Sequence, residues 1–157
     1  MDKIIALLTT SEGRIGPQQW WIGVVAMIVV GIIASIVIGI ISFGNATIFG
    51  WLVVLLNLAL LWPSYNIGIK RRHDRDNDGM DLKIMLGVSV LLNILTATGI
   101  GSSVVDIGGG VMMPQPALWL TIINLLFAVF AIYMLVQLGF LKGTTGANTY
   151  GSDPLGN

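Results

Sequence analysis

The distribution of charge constrains this chain more than any other feature of its sequence. Its 16 charged residues leave three uncharged runs of 55, 22 and 35 residues, at 15–69, 84–105 and 107–141. A helix needs about 20 apolar residues to cross a bilayer. The first run is therefore long enough for two crossings, and each of the others is long enough for one. Because the runs are continuously apolar and do not alternate, they favour helices over a β-barrel.

The sequence thus predicts an all-α, polytopic membrane protein with four transmembrane helices in a single integral membrane domain. The lipid bilayer is therefore an expected partner. Only 10% of the residues are charged, and the mean hydropathy is +0.86, whereas soluble domains carry about 25% charged residues. The Gly-rich stretch 99–110 is expected to be a flexible connector. The expected spans are 19–42, 48–69, 82–100 and 117–141, with a central loop at 70–81 and a tail at 142–157.

The basic residues predict the orientation. All eight Lys and Arg residues fall before the first span, in or beside the central loop, or in the tail. The loops at 43–47 and 101–116 contain no Lys or Arg. Basic residues accumulate in cytoplasmic loops, so both termini and the central loop are expected to be cytoplasmic.

Several classes of function are disfavoured by what the sequence lacks. The predicted spans contain no Asp, Glu, Lys, Arg or His apart from Lys83 at one end, which argues against proton pumps, most ion-coupled transporters and voltage sensors. Zero net charge argues against nucleic-acid binding. The absence of cysteine rules out disulfides and thiolate chemistry. His73 beside Asp74 is the only candidate catalytic pair, and no nucleophile pattern accompanies it, so neither enzymatic activity nor a cofactor is expected.

A stripe of small residues marks the first predicted helix. Gly31, Ser35 and Gly39 recur at every fourth position and would let another backbone approach closely. The contact would be either within the bundle or with a partner, which is another membrane protein or a second copy of the chain. The leading hypothesis is therefore a small non-enzymatic subunit or scaffold that packs against other membrane proteins.

Two alternatives remain open. One is a small oligomeric transporter or channel component with a pore lined by amide side chains. The other is binding of an anionic lipid or a small phosphate ligand at the cytoplasmic face. The candidate residues for that site are Arg14, Arg71, Arg72, His73 and Asp74.

The central loop also resembles half of a calcium loop. Asp74, Asp76 and Asp78, followed by Gly79, occupy the first ligand positions. The twelfth position, where such loops place a bidentate Glu, is Met85. Calcium is therefore a weak candidate, and turn formation with pairing to the neighbouring arginines is the plainer interpretation.

The tail carries a pattern that a disordered end does not need. The Gly, Asn, Asp and Pro residues between 143 and 154 specify successive turns. The hypothesis is that the tail folds back onto the central loop and the N-terminal segment. Three tail residues are candidates for this docking and three others for receiving it: Asn148, Tyr150 or Asp153 against Arg14, Arg72 or His73.

These polar segments resemble the domain of unknown function 805 family (DUF805), the YhaH-like bacterial inner-membrane proteins. That family pairs an early Gly-Arg and a following aromatic with a central Arg-x-His-Asp and a closing Gly-x-x-Gly-x-Asn-x-Tyr-Gly-x-Asp-Pro. The chain departs from the family in having Asp78-Gly79-Met80 where a Ser-Gly-Trp-like turn is usual. The resemblance implies a multi-pass protein of the bacterial inner membrane and no particular activity. The matching residues are Gly13-Arg14 with Trp20 and Trp21, Arg71-Arg72-His73-Asp74, and 143–154.

Overall fold

The computed structural model describes residues 2–156, so the last residue of the predicted tail lies outside the described residues. Within this range the chain forms one short helix, four long helices and one β-hairpin. The four long helices are long and apolar enough to cross a membrane, which confirms the predicted fold class. The elements are α1 Asp2–Thr9, α2 Pro17–Ile41, α3 Ala46–His73, α4 Met80–Thr98, β1 Ser102–Asp106, β2 Met112–Pro116 and α5 Leu118–Gly139.

The central connection is shorter than the predicted loop at 70–81. Helix α3 continues to His73, and α4 begins at Met80, so only 74–79 is non-helical. Charged residues mark the change from lipid to water, but they do not end a helix. The last turn of α3 is basic throughout, and positive charge at a helix C-terminus interacts favourably with the helix dipole.

Local chemistry explains where the helices begin. Pro17 occupies the first position of α2, where its missing N–H costs no hydrogen bond. Asn45 caps α3, because its Oδ1 accepts the Ile48 N–H at 3.0 Å. Gly79 precedes α4 with φ of 68°, a left-handed conformation that favours glycine.

The long helices form a closed ring. Helix α2 packs on α3, α3 on α4, α4 on α5, and α5 on α2, in the up-down-up-down arrangement of a four-helix bundle. Close approach relies on glycine at two contacts. A Cβ at Gly68 would lie 2.7 Å from Leu82, and a Cβ at Gly139 would lie 2.9 Å from Trp21. The short helix α1 packs against α2 and α3.

The outer connection between α4 and α5 corrects one prediction. Residues 102–116, part of which were expected to be a flexible connector, form an antiparallel hairpin that pairs Ser102 with Pro116 and Asp106 with Met112. Its turn is made by three consecutive glycines with positive φ, Gly108 to Gly110, which allow the chain to reverse tightly. All ten strand residues are exposed.

Most of the buried apolar residues lie at one end of the bundle. This polar end comprises residues 10–16, 70–79 and 140–156 with the helix turns that meet them. The opposite, hairpin end comprises 42–45 and 99–117 with their adjoining turns. The core cluster at the polar end contains Ile15, Trp20, Ile67, Ile69, Leu82, Met134 and Leu138.

Candidate functional site

One carboxylate lies at the centre of the polar end. Asp74, the residue after α3, accepts hydrogen bonds at Oδ1 from Arg14 Nε at 3.2 Å and Nη2 at 3.1 Å. Its Oδ2 accepts from Arg71 Nη1. The three side chains are at most 3% exposed. Buried charges are tolerated when they are paired and hydrogen-bonded, so this arrangement is a buried ion-pair triad.

Arg14 connects the N-terminal segment to the tail. Its guanidinium donates to the carbonyl oxygens of Thr144 at 2.6 Å, Gly146 at 2.7 Å and Gly151 at 3.2 Å. The tail therefore wraps around one side chain located 130 residues earlier in the sequence.

Arg71 connects α3 to the end of α5. Its Nε donates to the carbonyl oxygen of Leu138 at 2.7 Å, and its Nη2 donates to the carbonyl oxygen of Leu141. Both acceptors belong to the region where α5 ends and carbonyl oxygens lack helical partners. The arginine thus satisfies backbone groups that would otherwise be unpaired.

Arg72, in the last turn of α3, and Arg75, just after the helix, form a second group. Arg72 pairs with Asp81 of α4 at 2.7 Å, and its Nε donates to Asn77 Oδ1 at 3.2 Å. Both arginines donate to the amide oxygen of Gln137 on α5. This group joins α3, α4 and α5.

Two residues one helical turn apart on α3 hold α1. Lys70 Nζ donates to the carbonyl oxygens of Leu7 at 2.7 Å and Ala6 at 3.3 Å. Asn66 Nδ2 donates to the carbonyl oxygen of Leu8 at 2.8 Å. A cation at the C-terminus of a helix stabilises the partial negative charge there.

The tail lies against the end of α3. The ring of Tyr150 stacks on His73 with centroids 3.9 Å apart and planes at 5°. Asn148 Nδ2 donates to the His73 carbonyl oxygen at 2.8 Å. The Thr144 N–H donates to the Asp74 carbonyl oxygen at 2.8 Å. Two of the three candidate docking residues thus contact His73.

The third candidate, Asp153, binds backbone groups of the tail and not an arginine. Its Oδ2 accepts the Gly146 N–H at 3.1 Å, and its Oδ1 accepts the Leu155 N–H at 2.9 Å. Asp153 therefore holds the shape of the tail loop whose carbonyl oxygens receive Arg14. His73, in turn, has Nδ1 3.3 Å from the carbonyl oxygen of Gly13.

The three aspartates of the calcium-like segment each accept hydrogen bonds from other groups of the chain. Both oxygens of Asp74 accept from arginines, Asp76 Oδ1 accepts the Thr149 N–H at 3.2 Å, and Asp78 Oδ1 accepts the Met80 N–H at 3.1 Å. The three carboxylates are committed to separate partners. Across residues 4–156, His, Asp and Glu side chains do not form a group of three that could hold a metal ion.

The side chains of the candidate ligand site already have hydrogen-bond and ion-pair partners within the chain. The side chains of Arg14, Arg71 and Arg72 are 1%, 0% and 5% exposed. An incoming phosphate would have to displace carboxylates and tail carbonyl oxygens from them. The arrangement is therefore suited to connecting segments of the chain.

Several residues of the polar end did not stand out in the sequence. For Asn66 a signal existed, because it is a polar residue near the end of an apolar span and lies four residues before the basic Lys70. Pairing across sequence separations of 9 to 70 residues left no comparable local signal. The residues whose contacts were not predicted are Asn66, Lys70, Asp81, Gln137 and Thr144.

Residues 8–152 match the family model described as "Protein of unknown function (DUF805)". Two relatives called "Uncharacterized protein YiiR", one from Escherichia coli strain K12 and one from Escherichia coli O157:H7, are each 25% identical to the chain over 150 residues. The alignments cover 93% of this chain and 86% of each relative. No solved structure matches the chain significantly.

Proposed function

We propose that this chain, which belongs to the DUF805 family, has a role that depends on helix packing and not on catalysis. The protein is a multi-pass component of the bacterial inner membrane that acts as a subunit or scaffold for other membrane proteins. Its polar end faces the cytoplasm, in agreement with the clustering of basic residues there. The contact face is the part of α2 that contains Gly31, Ser35 and Gly39.

The observation that carries this proposal is the open space along that face. A Cβ built at Gly31 or Gly39 meets no atom within 4 Å, and Ser35 is exposed. Gly23 on the same helix differs, because a Cβ there would lie 3.1 Å from Ile67. The chain thus fills the space beside the glycine near the polar end and leaves the glycines further along α2 uncovered.

The membrane gives small exposed residues a specific use. Lipid tails are as apolar as leucine side chains, so helices associate through close van der Waals packing and not through a hydrophobic driving force. A groove made by Gly31 and Gly39 admits the backbone of another helix at short distance. A transmembrane helix of another membrane protein is the occupant that fits this groove.

The polar end supports the same proposal from the opposite side. The charged side chains that could act on a ligand or substrate form ion pairs and hydrogen bonds within the chain instead. They include Arg14, Arg71, Arg72 and Asp74. Their arrangement stabilises the bundle and holds it in one shape. A scaffold requires that stability, whereas an active site requires polar groups directed at a substrate.

The test uses the absence of native cysteine. Ser35→Cys introduces a single thiol in the stripe, and Val129→Cys introduces one on an exposed face of α5 (61% exposed) as a matched control. We expect a short thiol-reactive crosslinker in native membranes to give an adduct of defined mass with another membrane protein from Ser35→Cys only. Adding Gly31→Leu and Gly39→Leu should remove it.

Three results contradict the proposal. They are no adduct from Ser35→Cys, equal adducts from both positions, and an adduct that persists after the leucine substitutions. A product of twice the chain mass identifies a second copy as the occupant and overturns the assignment to another protein.

A further inference from the structure

A groove of about 490 Å³ runs between α3 and α4 on the outer surface of the bundle. Three leucines, Trp62, Tyr65, Gly87 and Lys83 line it. This volume lies within the range of about 300–1,000 Å³ that is typical of small-molecule sites. We infer that the groove binds an anionic phospholipid, with the phosphate at Lys83 and an acyl chain along the leucines. This site is independent of the face proposed for α2.

Lys83 supplies a charge that the protein does not neutralise. It is exposed, and among the side chains of residues 4–156 its ammonium group has neither a carboxylate within 4 Å nor a hydrogen-bond partner. The nearby Asp81 is engaged by Arg72 at 2.7 Å. Lys83 thus differs from the buried arginines of the polar end, because its ammonium group can accept an external anion without displacing a protein partner.

The groove changes from polar to apolar in the same order as a phospholipid. Lys83 lies in the first turn of α4, close to the polar end. On α3, Tyr65, Trp62 and then Leu58 lie progressively further from that end. At a rise of about 1.5 Å per residue, Tyr65 to Leu58 covers roughly 10 Å. A head group at Lys83 would therefore have its acyl chain beside the leucines.

The two aromatic residues are placed at the level between head group and chain. Their rings stack with centroids 6.1 Å apart, and Trp62 is 58% exposed. Within the described part of the chain, neither the Trp62 indole N–H nor the Tyr65 hydroxyl has a hydrogen-bond partner. Trp and Tyr favour the bilayer interface because there the apolar ring can contact acyl chains while the polar group faces the hydrated head groups.

Gly87 gives the groove its width. A Cβ built at this position meets no atom within 4 Å, so the glycine does not serve a helix contact. A larger side chain would occupy the groove without disturbing the fold, since the position is exposed on a regular helix. Charge complementarity selects the lipid as occupant, because an apolar helix would cover Lys83 without providing an anion.

The experiment measures retained lipid by native mass spectrometry of the full chain released from nanodiscs of phosphatidylglycerol and phosphatidylcholine. Lys83→Gln should lower the preference for phosphatidylglycerol about fivefold, as expected for loss of one surface cation. Lys142→Gln, which removes another exposed lysine of the polar end, is the matched control and should leave it unchanged. Gly87→Leu should remove retained lipid of both kinds, and Ala128→Leu, at an exposed position of α5, should not.

Several outcomes overturn the inference. One is a phosphatidylglycerol preference that Lys83→Gln leaves intact or that Lys142→Gln lowers equally. Another is lipid retention that Gly87→Leu does not alter. A third is a change of oligomeric mass in Gly87→Leu without lipid loss, which assigns the groove to a second copy of the chain.

Discussion

The two ends of this bundle are held together by different interactions. At the polar end, ion pairs and carbonyl contacts of nearly buried side chains join the N-terminal segment, α3, α4, α5 and the tail. At the hairpin end, buried apolar residues are few, namely Val54, Leu92 and Leu120. The side chains of Asn57 and Asn93 form a hydrogen bond of 3.4 Å in the half of the bundle nearer the hairpin. Because lipid competes with apolar contacts between helices, the polar end determines how the helices are arranged.

Among single substitutions, the largest effect is expected from Asp74→Asn. This change keeps the size of the side chain but removes the charge that balances Arg14 and Arg71. Breaking a buried ion pair by removing one partner costs about 3–5 kcal/mol. Thermal unfolding in detergent measures the loss. Asp106→Asn, in the exposed hairpin, is the control and should have little effect, and equal midpoints for the two variants would refute the distinction between the ends.

A smaller loss is expected from Gly143→Ala. A Cβ at this position would overlap the Asp74 carboxylate, so the tail must move away from the arginines. Inserting a methyl group into a well-packed site typically costs about 1–3 kcal/mol. Gly87→Ala adds the same methyl group in open space and should not destabilise the protein. If both variants unfold at the same temperature, the tail is not tightly packed against Asp74.

The smallest effect is expected at the hairpin end, from Asn93→Leu. Its side chain accepts from Asn57 across the α3–α4 contact, and polar contacts between membrane helices are worth about 0.6 kcal/mol on average. Asn124→Leu is the control, because the Asn124 amide donates to Leu120 of its own helix at 2.8 Å. A loss for Asn93→Leu as large as that for Asp74→Asn would remove the difference between the two ends.

The sequence predicted the helices well because the lipid core offers backbone N–H and C=O groups no hydrogen-bond partners. Uncharged runs that must bury their backbone polar groups have few alternatives to a helix, so all four predicted spans lie within a few residues of the observed helices. The helix ends were harder to predict. His73 ends α3 four residues after the predicted span, because basic side chains can extend into water or bond to the chain without interrupting the helix.

The parts that could not be predicted depend on contacts distant in sequence. Gln137 was recognisable as a polar residue in an apolar helix, but its acceptance from Arg72 and Arg75 requires the order of the helices. The hairpin consists of exposed residues without a regular alternation of polar and apolar side chains, so its pattern resembled that of a connector. The tail was more informative, because its turn-forming residues have no use in a disordered segment.

The most direct test of the account is removal of the tail. A chain that ends at Lys142 loses the three carbonyl acceptors of Arg14 and the ring that covers His73. Hydrogen bonds to charged groups contribute about 1.5–3 kcal/mol each, so the midpoint of thermal unfolding in detergent should fall by roughly 10 °C. An unchanged midpoint would contradict the claim that the tail and the buried arginines hold the bundle together.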